Sequence, residues 1–393
     1  MDSFVKKFGF DRSEVTLENW KDYPYSTWSL QHVAELVPVA KIEGSAPQRI
    51  ESDIDLGLLE LSVDFGSGEE KVIDFLNRSY TDSFLVVQHG KILLEYSSNA
   101  MTEFSPHLIF SVSKSVAGLA AGIGVKEFSL NLDSPVSHYL PVPTCGAYDT
   151  ASVRDLLDMK VSIDFEESYS DKDGQYARYR RSMLWMPATN GEEFLGEDLA
   201  SYVLSLPKGT RNHGEVFSYR SPNTDVLGLV LEKVSGLRYS DLLSRFLWKP
   251  IGAQPATITV DNVGASRAAG GISCTAQDLY LIGNLIKSGG FAGGREVVPE
   301  SWINDTRDNG DVVAWLRGDF ARLIPEGSYR NQWYSLGNGQ LCAIGIHGQW
   351  IFADPKNDLV SVRLSSQPLA DDDELDSKTL KLFAAFSAHL GVA

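Results

Sequence analysis

The chain has 393 residues and a formal net charge of −17, and 43% of it is hydrophobic, enough for a large buried core. That acidity excludes nucleic acid and an anionic membrane surface as natural partners, because both would repel it. No apolar run follows a basic start, and no stretch approaches the roughly 20 apolar residues needed to cross a bilayer, so a soluble, cytoplasmic protein without an export signal is expected.

The predicted elements imply one mixed domain with a large insertion, or two intimately packed domains. The first 80 residues look irregular, an arm held down by Trp20, Tyr23, Tyr25 and Trp28. Phe84 to Tyr96 reads as two strands joined at a turn around His89 and Gly90. Val112 to Val125, rich in Ala, Gly, Val and Leu, predicts a buried helix whose first amides point toward Ser111. Helical periodicity follows at Val153–Met159, Gly196–Ser205, Thr224–Ser235, Tyr239–Leu247 and Thr275–Ser288. Strands return at Gly339–His347, Gly348–Ala353 and Leu359–Ser365, with a turn at Asp354 to Asp358, and a helix from Glu374 to Leu390 closes the chain. Two strands, a helical middle, then three strands and a helix imply an α+β fold, an antiparallel sheet built from both ends of the chain beside a helical region. Residues 1–80 are expected as an arm on the sheet domain, 81–130 and 275–393 as the sheet domain, and 131–274 as a mainly helical domain. Cys145, Cys274 and Cys342 are an odd, widely spaced set, and none of the seven His forms a ligand-type pair. Buried free thiols are expected, with no disulfide and no metal site.

Chemistry is concentrated where Leu108-Ile-Phe leads into Ser111-Val-Ser-Lys114. A serine hydroxyl needs a neighbour to take its proton, and a lysine three residues on lies on the same helix face. Burial can hold that lysine neutral. Ser-x-x-Lys occurs three times, but Ser3 to Lys6 lies in an end expected to fray, and Ser205-Leu-Pro-Lys208 carries a helix-breaking Pro. Only Ser111 opens a long helix. The bland alternative is a Ser cap and a snorkelling Lys on a structural helix.

Two further segments bear on that choice. Gly214 to Glu232 sets Tyr219 in a polar loop just before an amphipathic helix, where it could share protons with Lys114, although a buried Tyr is more often a core residue. Ala343-Ile-Gly345-Ile346-His347-Gly348-Gln349 follows a stretch containing Trp333 and Tyr334. A Gly-rich edge strand lets backbone amides approach a substrate carbonyl, and it serves equally well as a Gly-relieved strand with a core His. Gly264-Ala-Ser266-Arg-Ala268 lacks the final Gly of a nucleophile elbow.

In this order and spacing the segments resemble the penicillin-recognising serine hydrolases, which include class C beta-lactamases, family eight carboxylesterases and D-amino-acid peptidases. The stretches from Ser111, from Tyr219 through Leu227, Gly271 to Ala276, Gly345 to Gln349 and Leu364 to Ser366 look most similar to the 6-aminohexanoate-dimer hydrolase branch, which cleaves nylon oligomers. The resemblance spans roughly Trp28 to the C-terminus. It implies a beta-lactamase/transpeptidase-like fold with the site between sheet and helical domains, no cofactor, a small-molecule ester or amide substrate, and room for a homodimer. Residue by residue it implies Ser111 as the acylated nucleophile, Lys114 as its base and Tyr219 as proton donor to the leaving group. The amides of Ser111 and Ile346 would form the oxyanion hole, and Tyr169 would cap the substrate, within a pocket that includes Trp333, Tyr334 and His347.

Departures from the pattern narrow the substrate. Tyr219-Arg-Ser221 stands where beta-lactamases have Tyr-x-Asn, and Ala343-Ile-Gly345 where they have Lys-Thr-Gly, so the groups that grip a penicillin are absent. Arg180 and Ala269 stand where the nylon-oligomer branch has an acidic residue and an Asn. An Arg would repel the substrate's free amine. The expectation is therefore a serine hydrolase cleaving carboxylic esters, with amide or aminohexanoate-oligomer hydrolysis weaker. An oligomer hydrolase or D-amino-acid amidase as the primary activity, and a non-catalytic binding protein of the same fold, stay open.

Overall fold

The computed structural model describes residues 3–48, 50–66, 68–98, 100–188 and 197–391. Strands β1 (Val39–Ile42) and β2 (Glu51–Ser52) precede a hairpin of β3 (Thr81–Gln88) and β4 (Lys91–Ser97), turned by His89 and Gly90 at positive φ. Strand β5 (His107–Leu108) leads into helix α1 (Val112–Phe128). The middle of the chain forms α2 (Val153–Leu157), α3 (Gln175–Ser182), α4 (Leu199–Leu204), α5 (Pro222–Ser235) and α6 (Tyr239–Leu243). Strands β6 (Ala256–Thr259) and β7 (Ile272–Cys274), then helices α7 (Ala276–Lys287) and α8 (Glu300–Asp308), return it to the sheet. Strands β8 (Ser328–Arg330), β9 (Trp333–Ser335), β10 (Leu341–Gly345), β11 (Gln349–Asp354) and β12 (Leu359–Ser365) precede the last helix, α9 (Asp373–Leu390).

Among the described residues the large sheet has eight strands in the order β8-β9-β10-β11-β12-β3-β4-β2, with only β2 parallel to its neighbour. The two ends of the chain meet where β12 pairs with β3, Val362 opposite Leu85 and Val360 opposite Val87. Phe84 to Val87 is an unbroken apolar run because β3 is buried on both faces. Leu85 and Val87 join one core, Phe84 and Val86 the other, with the period of two that a strand imposes. Helices α1 and α7 cover the first face, and α9 covers the second with Leu382, Phe383 and Phe386. There Phe383 stacks on Phe352 with ring centroids 5.0 Å apart. Full burial of such a side chain is worth roughly 1.5–3 kcal/mol. A second sheet, β1-β6-β7-β5, carries the entry to α1.

Small residues in α1 are demanded by close approach. A Cβ on Gly118 would sit 2.0 Å from the Asn331 carbonyl oxygen, and one on Gly122 would meet the Trp302 ring at 2.6 Å. An α+β fold with an antiparallel sheet from both chain ends is what the pattern of elements predicts. Several boundaries differ from expectation. The helix predicted to reach Met159 stops at Leu157, and Met159 turns to φ +53°. The one predicted over Tyr239–Leu247 loses its α pitch after Leu243 and widens through Trp248. Gly196, the predicted start of α4, lies outside the described residues. The first 80 residues hold real elements, including a helix at Ser3–Phe8 where fraying was expected. Strands β8 and β9 extend the sheet beyond the three late strands foreseen. Cys274 and Cys342 are buried free thiols, but Cys145 is exposed, against expectation, in a turn at φ +64°. Among the described residues no helix is long and apolar enough to cross a membrane.

Candidate active site

Ser111 sits between β5 and α1. Strand β5 is pinned to β7, the Ile109 amide donates to the Ile272 carbonyl at 2.9 Å, and Phe110 adopts φ +43°, a left-handed conformation unusual for a bulky residue. This sharp turn places the Ser111 hydroxyl at the head of the helix. The Lys114 amine lies one turn on, 2.8 Å from Ser111 Oγ and 2.8 Å from the Ala269 carbonyl oxygen. Lys114 is 1% exposed. Burial pulls its ammonium down to about 7, with Glu167 and Asp225 opposing and Arg267 assisting. Near neutral pH it is therefore available as a proton acceptor.

Tyr219 lies across from this pair. The Lys114 amine is 4.9 Å from the Tyr219 ring centroid, and the Tyr219 hydroxyl interacts with that of Ser111. Burial, then the Glu167 charge, raises the phenol well above its ordinary value, so it stays protonated and able to donate. Glu167 accepts from the amide and hydroxyl of Ser221 at 2.5 Å each and from the Tyr169 hydroxyl at 3.1 Å. Tyr169 is thus brought to the site beside Tyr219. The charge of Asp371 also reaches Tyr219, and burial, then Glu167, lifts the Asp371 carboxyl to about 6.

Helix α5 supplies the support behind Lys114. Asp225, in its first turn, accepts from the Ala269 amide at 2.9 Å and binds the Arg267 guanidinium and the Tyr179 hydroxyl. The same Ala269 peptide thus has its N–H held by Asp225 and its carbonyl facing Lys114. Ala269 acts through its backbone; its methyl is buried. Arg267, buried and bound through Nη1 by Asp225 and Tyr179, stays charged.

Strand β10 approaches from the other side. A Cβ on Gly345 would lie 3.1 Å from the Ser111 amide nitrogen, so only glycine lets the strand come this close. Ile346 follows directly. Among the described residues neither the Ser111 nor the Ile346 amide has a hydrogen-bond partner. His347, at φ +60°, donates from Nδ1 to the Gln367 carbonyl at 2.8 Å and packs on Phe110 with centroids 5.3 Å apart. Burial drops it to about 4, so it is neutral.

Neighbours on β9 point to opposite faces. Tyr334 joins the aromatic group around Tyr219, through Phe320 at 5.4 and 5.7 Å. Trp333 does not reach this group; it is buried on the opposite face, its Nε1 donating to the Ser115 carbonyl at 3.1 Å, where it fixes α1. Arg180 on α3 lies one aromatic layer back, its guanidinium 5.4 Å from the Tyr176 ring and donating to the Asp171 carbonyl. Glu167, Asp225, Arg267 and Asp371 were not singled out from the sequence. Asp225 alone had a signal, its place in the Asn-Thr-Asp run after Tyr219.

The sequence pattern of the family described as Beta-lactamase matches residues 76–385. A 6-aminohexanoate-dimer hydrolase of Paenarthrobacter ureafaciens is 36% identical over 366 residues, covering 92% of this chain and 91% of that protein. Among solved structures, a Bacillus anthracis protein provisionally assigned as a 6-aminohexanoate-dimer hydrolase superposes with a TM-score of 0.88 at 23% identity, over 97% of this chain and 98% of that one. EstCE1, a hydrolase with promiscuous acyltransferase activity, superposes at 0.61 with 18% identity, over 79% of this chain and 96% of its own. With the family pattern spanning most of its length, the chain belongs to the Beta-lactamase family and is a serine hydrolase.

Proposed function

We propose that the protein hydrolyses small carboxylic esters, and amides more slowly, through an acyl-enzyme on Ser111. The observation that carries this reading is the buried Lys114 amine, 2.8 Å from Ser111 Oγ and drawn down to about 7. Neutral Lys114 takes the hydroxyl proton as Ser111 Oγ attacks the substrate carbonyl carbon. The amides of Ser111 and Ile346 receive the oxyanion. Tyr219 gives its proton to the departing oxygen or nitrogen and is reprotonated from Lys114. Water then attacks the acyl carbon as the same pair removes its proton, and the acid leaves with Ser111 restored.

Ester preference follows from what surrounds this apparatus. An amide nitrogen must be protonated to leave, and Ala269 offers no side-chain group to assist. Arg180 disfavours an ammonium-bearing substrate. Oligomer cleavage is the second reading, favoured by the 36% identical Paenarthrobacter relative and by Tyr169 standing beside Tyr219. A panel of short-chain esters, anilides and the linear 6-aminohexanoate dimer separates the two. Ester turnover at least about a hundredfold above dimer turnover is expected, the size of effect that general-acid assistance carries. Dimer cleavage as fast as ester cleavage would make amide hydrolysis the primary activity.

A further inference from the structure

We propose that Gln349 is the positioning residue of the oxyanion hole: its buried carboxamide holds the turn that presents the Ile346 amide to the substrate carbonyl. The proposal rests on the serine-hydrolase reading of Ser111, with Ile346 as an oxyanion donor, and adds to it a residue that touches neither substrate nor the proton-transfer groups.

Strands β10 and β11 are joined by three residues, Ile346, His347 and Gly348, since Gly345 stands opposite Gln349. His347 and Gly348 both turn to positive φ, +60° and +84°. That conformation is rare for a histidine and persists where its surroundings impose it. Gln349 is 0% exposed, and its Nε2 donates to the His347 carbonyl at 2.9 Å and, at a longer 3.3 Å, to the Ile346 carbonyl. The same carboxamide grips Ser365 at the end of β12, donating to its carbonyl at 2.6 Å and accepting from its amide at 3.2 Å. Pairing between the two strand backbones runs only as far as Trp350 opposite Arg363. Beyond that point the Gln349 side chain stands in for a strand peptide and ties β12 to the turn.

The consequence falls on Ile346. The peptide that joins it to His347 is held from both sides: its carbonyl accepts from Gln349, and its N–H donates to the Ala370 carbonyl at 3.0 Å. On the other side of Ile346, a Cβ on Gly345 would lie 3.1 Å from the Ser111 amide nitrogen and 3.2 Å from the Gln349 Cβ. Fixed at both neighbours, the Ile346 N–H has little freedom to turn away from the Ser111 amide. An oxyanion hole works by being set before charge develops, so this rigidity is worth most in the transition state. The position needs both a donor and an acceptor. Methionine would fill the same space and leave the His347 carbonyl and the Ser365 backbone groups short of partners.

Two esters test this: 4-nitrophenyl hexanoate and its thiono counterpart, in which sulfur, a weak hydrogen-bond acceptor, replaces the carbonyl oxygen. For the unmodified enzyme kcat/KM should be about a hundredfold or more higher for the oxygen ester, as an intact oxyanion hole requires. In Gln349→Met that ratio should fall about tenfold, the oxygen ester losing kcat with KM little changed, because a misplaced amide is felt in the transition state. Partial unfolding lowers both rates alike and leaves the ratio where it was, so the ratio separates positioning from stability. Should Gln349→Met fail to fold, Gln349→Glu, which keeps the shape but has no N–H to give, is read in the same way with a fall in the same direction. An unchanged ratio in a folded variant, or no preference for oxygen in the unmodified enzyme, would overturn the proposal. Failure of the hydrolase reading shows differently: neither ester is turned over and Ser111 takes no phosphonate label.

Discussion

At the residue scale the account turns on one proton. Lys114 is cationic below about pH 7 and neutral above it, so kcat/KM for a neutral ester should rise with pH through that value and then level. Lys114→Arg keeps the charge at every pH, and should abolish this limb together with nearly all activity. Ser111→Ala and Lys114→Ala should each remove almost all turnover, about 10³-fold or more, and the double variant should be no worse than the poorer single one, because groups acting as one proton-transfer unit are not additive. Additive losses would place Lys114 outside the reaction. Tyr219→Phe should slow alkyl-ester and amide cleavage about tenfold more than 4-nitrophenyl-ester cleavage, since a nitrophenolate leaves without a proton. Equal losses on both substrates would assign Tyr219 to another step. At the substrate end, Arg180→Asp with Ala269→Asn should raise hydrolysis of the linear 6-aminohexanoate dimer while changing short-ester hydrolysis little. The ester rate is the control.

At the scale of elements, α1 is fixed by close backbone approach at Gly118 and by the indoles of Trp302 and Trp333, which donate to the Gly118 and Ser115 carbonyls. Gly118→Val would drive a side chain into the Asn331 carbonyl, and overpacking of that kind costs about 1–3 kcal/mol or more. A clear fall in Tm, with activity lost alongside it, is expected; an unchanged Tm would contradict the packing described. The pairing of Ser111 with Lys114 was legible in the sequence because the two are local, and helix pitch alone puts them together. The β3–β4 hairpin and the late strands were legible for the same reason: their apolar runs and turn residues are local signals. Asp225, Arg267 and Glu167 were not, because the first two converge across 42 residues and Glu167 reaches Ser221 across 54. Strands β8 and β9 escaped notice because three residues each, around an Asn331-Gln332 turn at positive φ, are too short for a period to show. Trp333 was grouped with Tyr334 by sequence adjacency, yet strand alternation sends it to the opposite face.

Across the whole molecule, charge networks tie distant segments around the site. Arg330 on β8 bridges Asp158, just after α2, and Asp305 on α8 at 2.7 and 2.9 Å, while the Asn331 amide donates to Asp158 at 3.2 Å. Asp158 is almost fully buried, and burial lifts its carboxyl against the pull of Arg154 and Arg330. Arg330→Met would leave that carboxylate to Arg154 and the Asn331 amide, and losing a hydrogen bond to a charged group costs about 1.5–3 kcal/mol. Gln332, next in the chain, donates to the Leu156 and Leu157 carbonyls at 2.8 and 3.0 Å and accepts from Thr224 on α5 at 2.8 Å. The same turn therefore joins sheet, α2 and the helix bearing Asp225. Loss of Arg330 should lower Tm and also kcat, while sparing the identity of the labelled serine. An unchanged Tm would show that the network is dispensable.

The central claim, that Ser111 is the nucleophile, is tested most directly by reacting the intact enzyme with an activated 4-nitrophenyl phosphonate and locating the adduct by peptide mass mapping. One equivalent of nitrophenolate should be released, with the added mass on the peptide containing Ser111 and none on Ser111→Ala. An adduct on Ser3, Ser205 or Ser266, or labelling that survives in Ser111→Ala, would contradict the account.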